Sequence, residues 1–168
     1  MKKIIIAVIL ILSAGLISFR PTPSVISVQG IPSYLPNVSG MTDPGLPKSV
    51  ICNPKWKTSF VRPPTSYTNA IKRSKLPLGT NMADVELDHD IPLAIGGHPK
   101  SPDNLWPEPW DYNLNGKNVG AHTKDRLEVK LHSLICSGKI EQITAQKCIA
   151  DNWIDCYKKY IGDLPDYK

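Results

Sequence analysis

The chain has 168 residues, a length typical of one domain with a single hydrophobic core. Its 20 Lys and Arg residues against 15 Asp and Glu residues give a formal charge of +5, so the overall balance is only mildly basic. No two of the four cysteines have the Cys-x-x-Cys spacing, which excludes a zinc ribbon.

The first residues of the chain have the pattern of a secretory signal. Two lysines precede an unbroken apolar run from Ile4 to Leu12, and small residues follow it. We expect this segment to be removed on export to the periplasm or the extracellular space. The alternative is that residues 1–19 remain as a membrane tether. No cysteine ends the segment, so a lipoprotein acylation site is missing, and residues 20–48, rich in Pro, Ser and Gly, are predicted to be a flexible linker.

A stretch of one charge sign follows, in residues 48–75. It contains seven Lys and Arg residues and not one Asp or Glu, which suits a polyanion, although such runs are also common on solvated surfaces. We predict short strands at 50–56 and 59–61 and a helix over 67–75. The residues expected to contact nucleic acid in this stretch are Arg62, Lys72 and Arg73.

The next predicted elements have the order strand, loop, strand, helix. A short strand is predicted at Val85–His89, and a loop rich in Pro and Gly separates it from a second strand at Asn104–Trp106. A helix over 118–136 follows, with a leucine stripe along one side and a glycine after its end. A second helix is predicted over 144–160.

An even number of cysteines in an exported chain indicates disulfides. The preferred pair is Cys52 with Cys136, which would tie the N-terminal arm to the main helix. Cys148 and Cys156 would lie about 12 Å apart in one intact helix, beyond the roughly 7 Å limit for a bridge. Those two are therefore not expected to bond each other while that helix is intact.

The strand ends carry residues suited to phosphodiester hydrolysis. His89 is the candidate general base, because a neutral histidine can accept a proton from water near neutral pH. We expect the side-chain oxygen of Asn104 to accept the other ring N–H and so to orient the imidazole. Asp88 is expected to supply one oxygen ligand to a divalent cation, which would offset the negative charge that grows in the transition state.

The helix over 118–136 is predicted to complete this site. At about 100° per residue, one narrow face of the helix carries Ala121, Asp125, Glu128 and His132. Glu128 and His132 are the preferred further metal ligands, with Asp125 as the substitute, and Lys124 is expected to touch a phosphate. The expected ion is Mg2+, with Mn2+, Ni2+ or Zn2+ as alternatives.

Three segments resemble the HNH, or His-Me finger, endonucleases. They are Glu86-Leu87-Asp88-His89, Ile91-Pro92-Leu93-Ala94-Ile95-Gly96-Gly97 and Asn104-Leu105-Trp106-Pro107-Glu108-Pro109. The last contains the N-L-W-P signature of one exported bacterial group. The resemblance covers residues 49–157 and implies a ββα-metal finger with Asp88 as a metal ligand, His89 as the base and Asn104 as the middle residue.

The resemblance departs from the family pattern in the helix. The family places a His or Asn early in this helix, where the chain has His122 before Lys124, and then Glu128 and His132. His122 is the position most like the family's, although its neighbours do not match well. The helix-borne metal ligand is thus the part of the site that the resemblance leaves open.

We therefore predict an α+β domain over residues 49–168, with a ββα finger and an additional C-terminal helix. Its expected activity is metal-dependent hydrolysis of nucleic acid, DNA rather than RNA, with low sequence specificity, because phosphate contacts set affinity but not sequence. The protein is expected to be a monomer. The alternative is an exported, disulfide-stapled binding or structural protein that keeps the fold without cleaving anything.

Overall fold

The computed structural model describes residues 45–76 and 78–168. The predicted signal or tether at residues 1–19 lies outside these residues, as does most of the predicted linker. Within them the chain has a mixed α+β structure with two small antiparallel sheets. No helix in this part of the chain is long and apolar enough to cross a membrane.

Most of the predicted elements are confirmed, with ends that differ by a few residues. The helices are α1 (Lys48–Ile51), α2 (Thr65–Lys75), α3 (Ala121–Cys136) and α4 (Gln142–Tyr160). The strands are β1 (Val85–His89), β2 (Leu105–Pro109), β3 (Asn113–Leu114) and β4 (Lys117–Asn118). Single 3-10 turns lie at Thr58–Phe60, Met82–Asp84, Leu93–Ile95 and Pro102–Asn104.

The two strands predicted within the basic stretch are wrong. Residues 50–56 begin in α1 and continue into a turn, and residues 59–61 belong to a 3-10 turn. The turn forms because the side-chain oxygen of Asn53 accepts the backbone N–H of Lys55 at 2.9 Å, a local bond that competes with strand formation. Ile51 is buried in the core, but the residues on either side of it do not alternate between buried and exposed positions as they would in a strand.

Strands β1 and β2 pair antiparallel, with Asp88 opposite Trp106 and His89 opposite Leu105. Because side chains alternate between the faces of a strand, Asp88 and Glu108 lie on the same face of this pair. Helix α3 packs against α4 and against the 3-10 turn at Leu93–Ile95, and it carries a fully buried stripe that includes Leu127. This packing brings the first turn of α3 to the end of β1.

Both pairs of cysteines are bridged. The Cys52–Cys136 disulfide is confirmed, and it ties the segment after α1 to the end of α3. The expectation that Cys148 and Cys156 are not bonded is wrong, because α4 is not intact: Asn152 has φ −166° and ψ 97°. The side-chain oxygen of Asn152 accepts the backbone N–H groups of the next turn, so the helix restarts there and the two cysteine Cα atoms lie 5.5 Å apart.

The end of the predicted linker is part of the fold. The backbone N–H of Leu46 donates to the carbonyl of Gly96 at 3.0 Å, and the Gln142 side chain donates to the carbonyl of Leu46 at 2.7 Å. Gly96 has φ 92°, and a Cβ there would overlap the Leu46 carbonyl oxygen. Leu46, within the predicted linker, therefore contacts the described fold.

Candidate active site

His89 ends strand β1 and is 3% exposed. Its ring Nε2 lies 3.1 Å from the carbonyl oxygen of Pro99. A carbonyl can only accept, so Nε2 carries the proton in this contact and Nδ1 is the nitrogen that can take another. Burial lowers the pKa of His89 below 6.5, and the nearby charge of Asp88 opposes this only in part. His89 is therefore held neutral with one basic nitrogen.

The predicted role of Asn104 in orienting His89 is wrong. Its side-chain oxygen accepts the N–H of Ile91 at 2.8 Å, and its amide donates to the carbonyls of Ile91 and His98, both at 3.0 Å. The Pro99 carbonyl orients the imidazole instead. Asn104 is fully buried and closes the loop that carries Pro99, so it acts on His89 through the loop.

Close approach of the backbone in this loop requires a glycine. A Cβ at Gly97 would lie 1.7 Å from the carbonyl oxygen of Ile91, which is the oxygen that accepts the Asn104 amide. The loop is further held by His98, whose Nδ1 accepts the backbone N–H groups of Lys100 and Ser101. Sequence reasoning assigned no role to His98.

Lys124 lies at the centre of the charged cluster next to His89 and is fully buried. Its ammonium group lies 2.5 Å from an Asp88 oxygen and donates to the His89 carbonyl at 2.8 Å. It also lies 3.4 Å from Glu128 and 3.8 Å from Glu108. The expectation that Lys124 touches a phosphate is therefore wrong, since a fully buried ammonium cannot reach a ligand from solvent.

The charges of this cluster are strongly coupled. Burial alone would raise the pKa of Asp88, but the Lys124 ammonium outweighs it and the pKa is lowered. Burial raises the pKa of Glu108 well above its usual range and that of Glu128 to about 8, although Lys124 opposes both shifts. The principal ion pair of the cluster is thus Asp88 with Lys124, burial favours the protonated form of Glu108, and Glu128 is largely protonated at neutral pH.

Glu108 is a member of the site that sequence reasoning missed. It is fully buried, and neither carboxyl oxygen has a hydrogen-bond partner of ordinary geometry within the described residues. An acidic group in a core is costly unless it has partners, and Glu108 lies 3.8 Å from the Lys124 ammonium and is linked to Asp88, which marks a special position. The sequence signal that could have identified Glu108 was the alternation of side chains along β2. Glu108 stands two residues after Trp106, which is paired with Asp88, so the two acids share one face.

The predicted metal ligands Asp88, Glu128 and His132 do not form one site. Asp88 is paired with Lys124, and Glu128 lies beside the same ammonium. The His132 ring contacts the carbonyl of Ile51 at 2.9 Å. In residues 45–76 and 78–168, the group of three metal-ligating side chains with ligand atoms within 4.8 Å of one another is Cys52, His132 and Cys136. The expected oxygen-rich ligand set therefore does not fit the arrangement around Asp88.

Two further acids near Asp88 are Glu86, which is half-buried, and Asp125, which is exposed. Burial, with the charge of Asp88 next, raises the pKa of Glu86 to about 7 and also raises that of Asp125, the predicted substitute ligand. His122, the position most like the family pattern, is exposed, lies 3.1 Å from Asp111 and stacks on Trp110. Neither Asp125 nor His122 completes a ligand set with Asp88 among the described residues.

A groove runs past His89 along the start of α2. It has a volume of about 270 Å³, and its lining includes Arg62, Thr65, Thr68 and His89. Of the predicted phosphate-binding residues, Arg62 therefore lies next to the candidate base. Arg73 is exposed.

Lys72 lines the same groove, but its ammonium is engaged. It donates to the carbonyls of Met82 at 2.6 Å and Val85 at 2.5 Å. Lys75 similarly donates to the carbonyls of Pro102 and Leu105, so both lysines attach α2 to the strands. Two of the seven positive charges in residues 48–75 therefore bind backbone carbonyls of the same chain.

Comparisons of the chain with protein-family models, curated proteins and solved structures found no match. The two disulfides are consistent with an extracellular location. The function is inferred below from the residues of the groove and the charged cluster.

Proposed function

We propose that the chain is an exported, metal-dependent endonuclease of the HNH type that hydrolyses nucleic acid with low sequence specificity. The observation that carries the proposal is the state of His89. Its Nε2 proton is directed to the Pro99 carbonyl, and burial lowers its pKa, so Nδ1 is free to accept a proton. This is what a general base for the attack of water on a phosphodiester requires at neutral pH.

The groove beside His89 supports an extended polyanion as substrate. Arg62 lines it and supplies a permanent positive charge with several N–H donors, which suit phosphate oxygens. Contacts to phosphates carry no sequence information, so low specificity is expected. DNA is the preferred substrate in this proposal.

A divalent cation, Mg2+ or alternatively Mn2+, Ni2+ or Zn2+, belongs to the proposal because charge grows on the phosphate and on the leaving oxygen. The arrangement around Asp88 does not supply the ligand set for it, since Lys124 already pairs with that carboxylate. Proton transfer from water to His89 does not require a particular position of the ion. The metal requirement is therefore a separate arm of the experiment.

The experiment is cleavage of supercoiled plasmid by the oxidised, folded protein, with Mg2+ or Mn2+ and with a chelator. The His89→Ala variant should lose at least about 10²-fold in nicking rate, as expected for a general base. His122→Ala is the matched control, because His122 is exposed and paired with Asp111. Equal nicking by wild type and His89→Ala, or none with any divalent ion, would contradict the proposal.

A second function is favoured by the Lys124 ammonium. The chain could be a binding or structural protein on a nuclease-like fold, in which a buried lysine provides the cation that the Asp88 carboxylate needs. This alternative predicts that the folded wild type binds DNA in gel-shift assays and cleaves it with none of the ions tested. Gel shift and plasmid cleavage together therefore separate the two functions.

A further inference from the structure

A second cluster of metal-ligating side chains lies where the segment after α1 meets α3. Cys52, His132 and Cys136 each offer a ligand atom, and these atoms lie within 4.8 Å of one another. His132 and Cys136 are four residues apart, so they stand one above the other on the same side of α3. All three residues are partly exposed, so a small ion can reach them from solvent.

We propose that reduction of the Cys52–Cys136 disulfide creates a site for Zn2+ or a similar thiophilic divalent ion. Its ligands are the two Sγ atoms and Nε2 of His132, and water takes the fourth position. In the oxidised protein the sulfur atoms are bonded to each other and carry no thiolate charge, so the site is closed. The disulfide thus controls whether the chain binds this class of metal.

The distances suit tetrahedral coordination. With Zn–S near 2.3 Å and Zn–N near 2.0 Å, a tetrahedral ion places a sulfur and a nitrogen ligand about 3.5 Å apart and two sulfurs about 3.8 Å apart. Nε2 of His132 lies 3.5 Å from Sγ of Cys136. That pair is already at the required separation, and the sulfur of Cys52 has to move away from that of Cys136 after reduction.

The chemistry needs a reductant and releases protons. A dithiol supplies two electrons and two protons, so the S–S bond breaks, two thiols form on the protein and the dithiol becomes a disulfide. When Zn2+ binds, both thiol protons pass to solvent and the thiolates become ligands. His132 must also give up its contact with the Ile51 carbonyl, 2.9 Å away, in which Nε2 donates its proton. On metal binding Nε2 passes that proton to solvent and Nδ1 takes one up, so the imidazole stays neutral and Nε2 presents its lone pair to the metal.

This site is independent of the proposed nuclease activity. His132 was predicted to bind a metal together with Asp88, but its neighbours are the two cysteines. Asp88 and His89 contact Lys124 and the Pro99 carbonyl and take no part in it. His132 would therefore bind a metal together with two sulfur ligands, which suit a soft ion, and not within the oxygen-rich ligand set expected for Mg2+.

The test is titration of the full chain with Co2+ under anaerobic conditions, before and after reduction. The Cys148→Ala/Cys156→Ala variant is used beside the wild type, because reduction also frees those two cysteines. The reduced proteins should bind one Co2+ with a thiolate-to-cobalt charge-transfer band and tetrahedral d–d bands, and Zn2+ should displace it. The oxidised proteins should show neither band.

Variants of α3 assign the ligands. His132→Ala should weaken Co2+ binding by more than the roughly 10-fold that loss of an outer hydrogen bond to a ligand costs. His122→Ala, on the same helix but paired with Asp111, should bind as the wild type does. Near-ultraviolet circular dichroism reports whether each reduced protein is folded.

Three results would overturn the proposal. One is a reduced chain without a charge-transfer band, whether it is folded or has unfolded and is not refolded by the metal. The second is an affinity that His132→Ala leaves unchanged. The third is a loss of binding in the Cys148→Ala/Cys156→Ala variant, which would place the site at those cysteines.

Discussion

The Lys124 ammonium lies 2.5 Å from the Asp88 carboxylate, and both groups are buried between α3 and β1. The contact places a fixed positive charge directly behind His89, whose carbonyl the same ammonium also binds. That charge helps to keep the imidazole neutral, although burial is the larger cause of its lowered pKa. The Lys124 ammonium therefore anchors the helix to the strand and favours the neutral form of His89, whereas the Asp88 carboxylate opposes that effect.

Removal of the Lys124 charge should strongly destabilise the fold. In Lys124→Met the Asp88 carboxylate remains buried without its partner, a change that costs about 3–5 kcal/mol. Urea unfolding at neutral pH measures this loss, and the exposed Lys130→Met on the same helix is the control. The loss should shrink in acid, where Asp88 can be protonated. A change below about 1 kcal/mol, the usual value of an exposed pair, would contradict the assignment.

The cleavage rate should stay high to a lower pH than a free histidine allows. The pKa of His89 is lowered, so the neutral, active form persists below the usual value of about 6.5. The acid limb of kcat/KM for a defined oligonucleotide should therefore lie below that value. If the acid limb of kcat/KM lay above about 6.5, His89 would be protonated more readily than its burial implies.

Asp90→Asn should stabilise the protein at alkaline pH and have little effect in acid. Burial raises the pKa of Asp90 to about 7, and one of its oxygens has no hydrogen-bond partner within the described residues. The contribution of this carboxyl is therefore fully present below about pH 4 and is lost as the pH rises through about 7.

Thermal midpoints at about pH 4 and about pH 8 check the sign of this effect. The variant should exceed the wild type only at the higher pH, by several degrees if about 1–3 kcal/mol is recovered. The exposed Asp103→Asn is the control. If Asp90→Asn and the wild type had equal thermal midpoints at both pH values, both oxygens of the Asp90 carboxyl would have partners in the fold.

The two basic residues that line the groove should behave differently. Arg62→Ala should weaken DNA binding and lower the slope of log K against log salt by about 0.9 for each phosphate that the arginine neutralises. Lys72→Ala should chiefly lower stability, since its ammonium holds the carbonyls of Met82 and Val85. Fluorescence anisotropy over a salt series and urea unfolding separate the two effects. The opposite pattern would move the binding surface away from Arg62.

The two disulfides should differ in their contribution to stability. The chain-entropy estimate is about 4.6 kcal/mol for Cys52–Cys136, which closes a loop of 84 residues, and about 2.5 kcal/mol for Cys148–Cys156, which closes a loop of 8. Urea unfolding of the Cys52→Ala/Cys136→Ala and Cys148→Ala/Cys156→Ala variants measures both. A larger loss for the second pair would indicate that it has a further role at the kink in α4.

Local pattern was sufficient for the strand that ends in His89 and for α2, α3 and α4, but not for α1, and the preferred Cys52–Cys136 bridge is confirmed. It failed for the Cys148–Cys156 bridge, because the 12 Å separation holds only for a straight helix and Asn152 interrupts this one. It also failed for Asn104, whose partners are backbone groups 6 and 13 residues away rather than the His89 ring. Such bonds depend on how a loop closes, and spacing in the chain does not report loop closure.

By itself the sequence determined the order of α2, β1, β2, α3 and α4, since the period of apolar residues and the turn residues act over a few positions. It also placed the candidate base at a strand end. Only the tertiary structure decided which cation neutralises Asp88 and which groups surround His132. The physical reason is that the protonation and pairing of a polar group depend on burial and on partners brought together by packing, which lie 36 residues apart for Lys124 and Asp88.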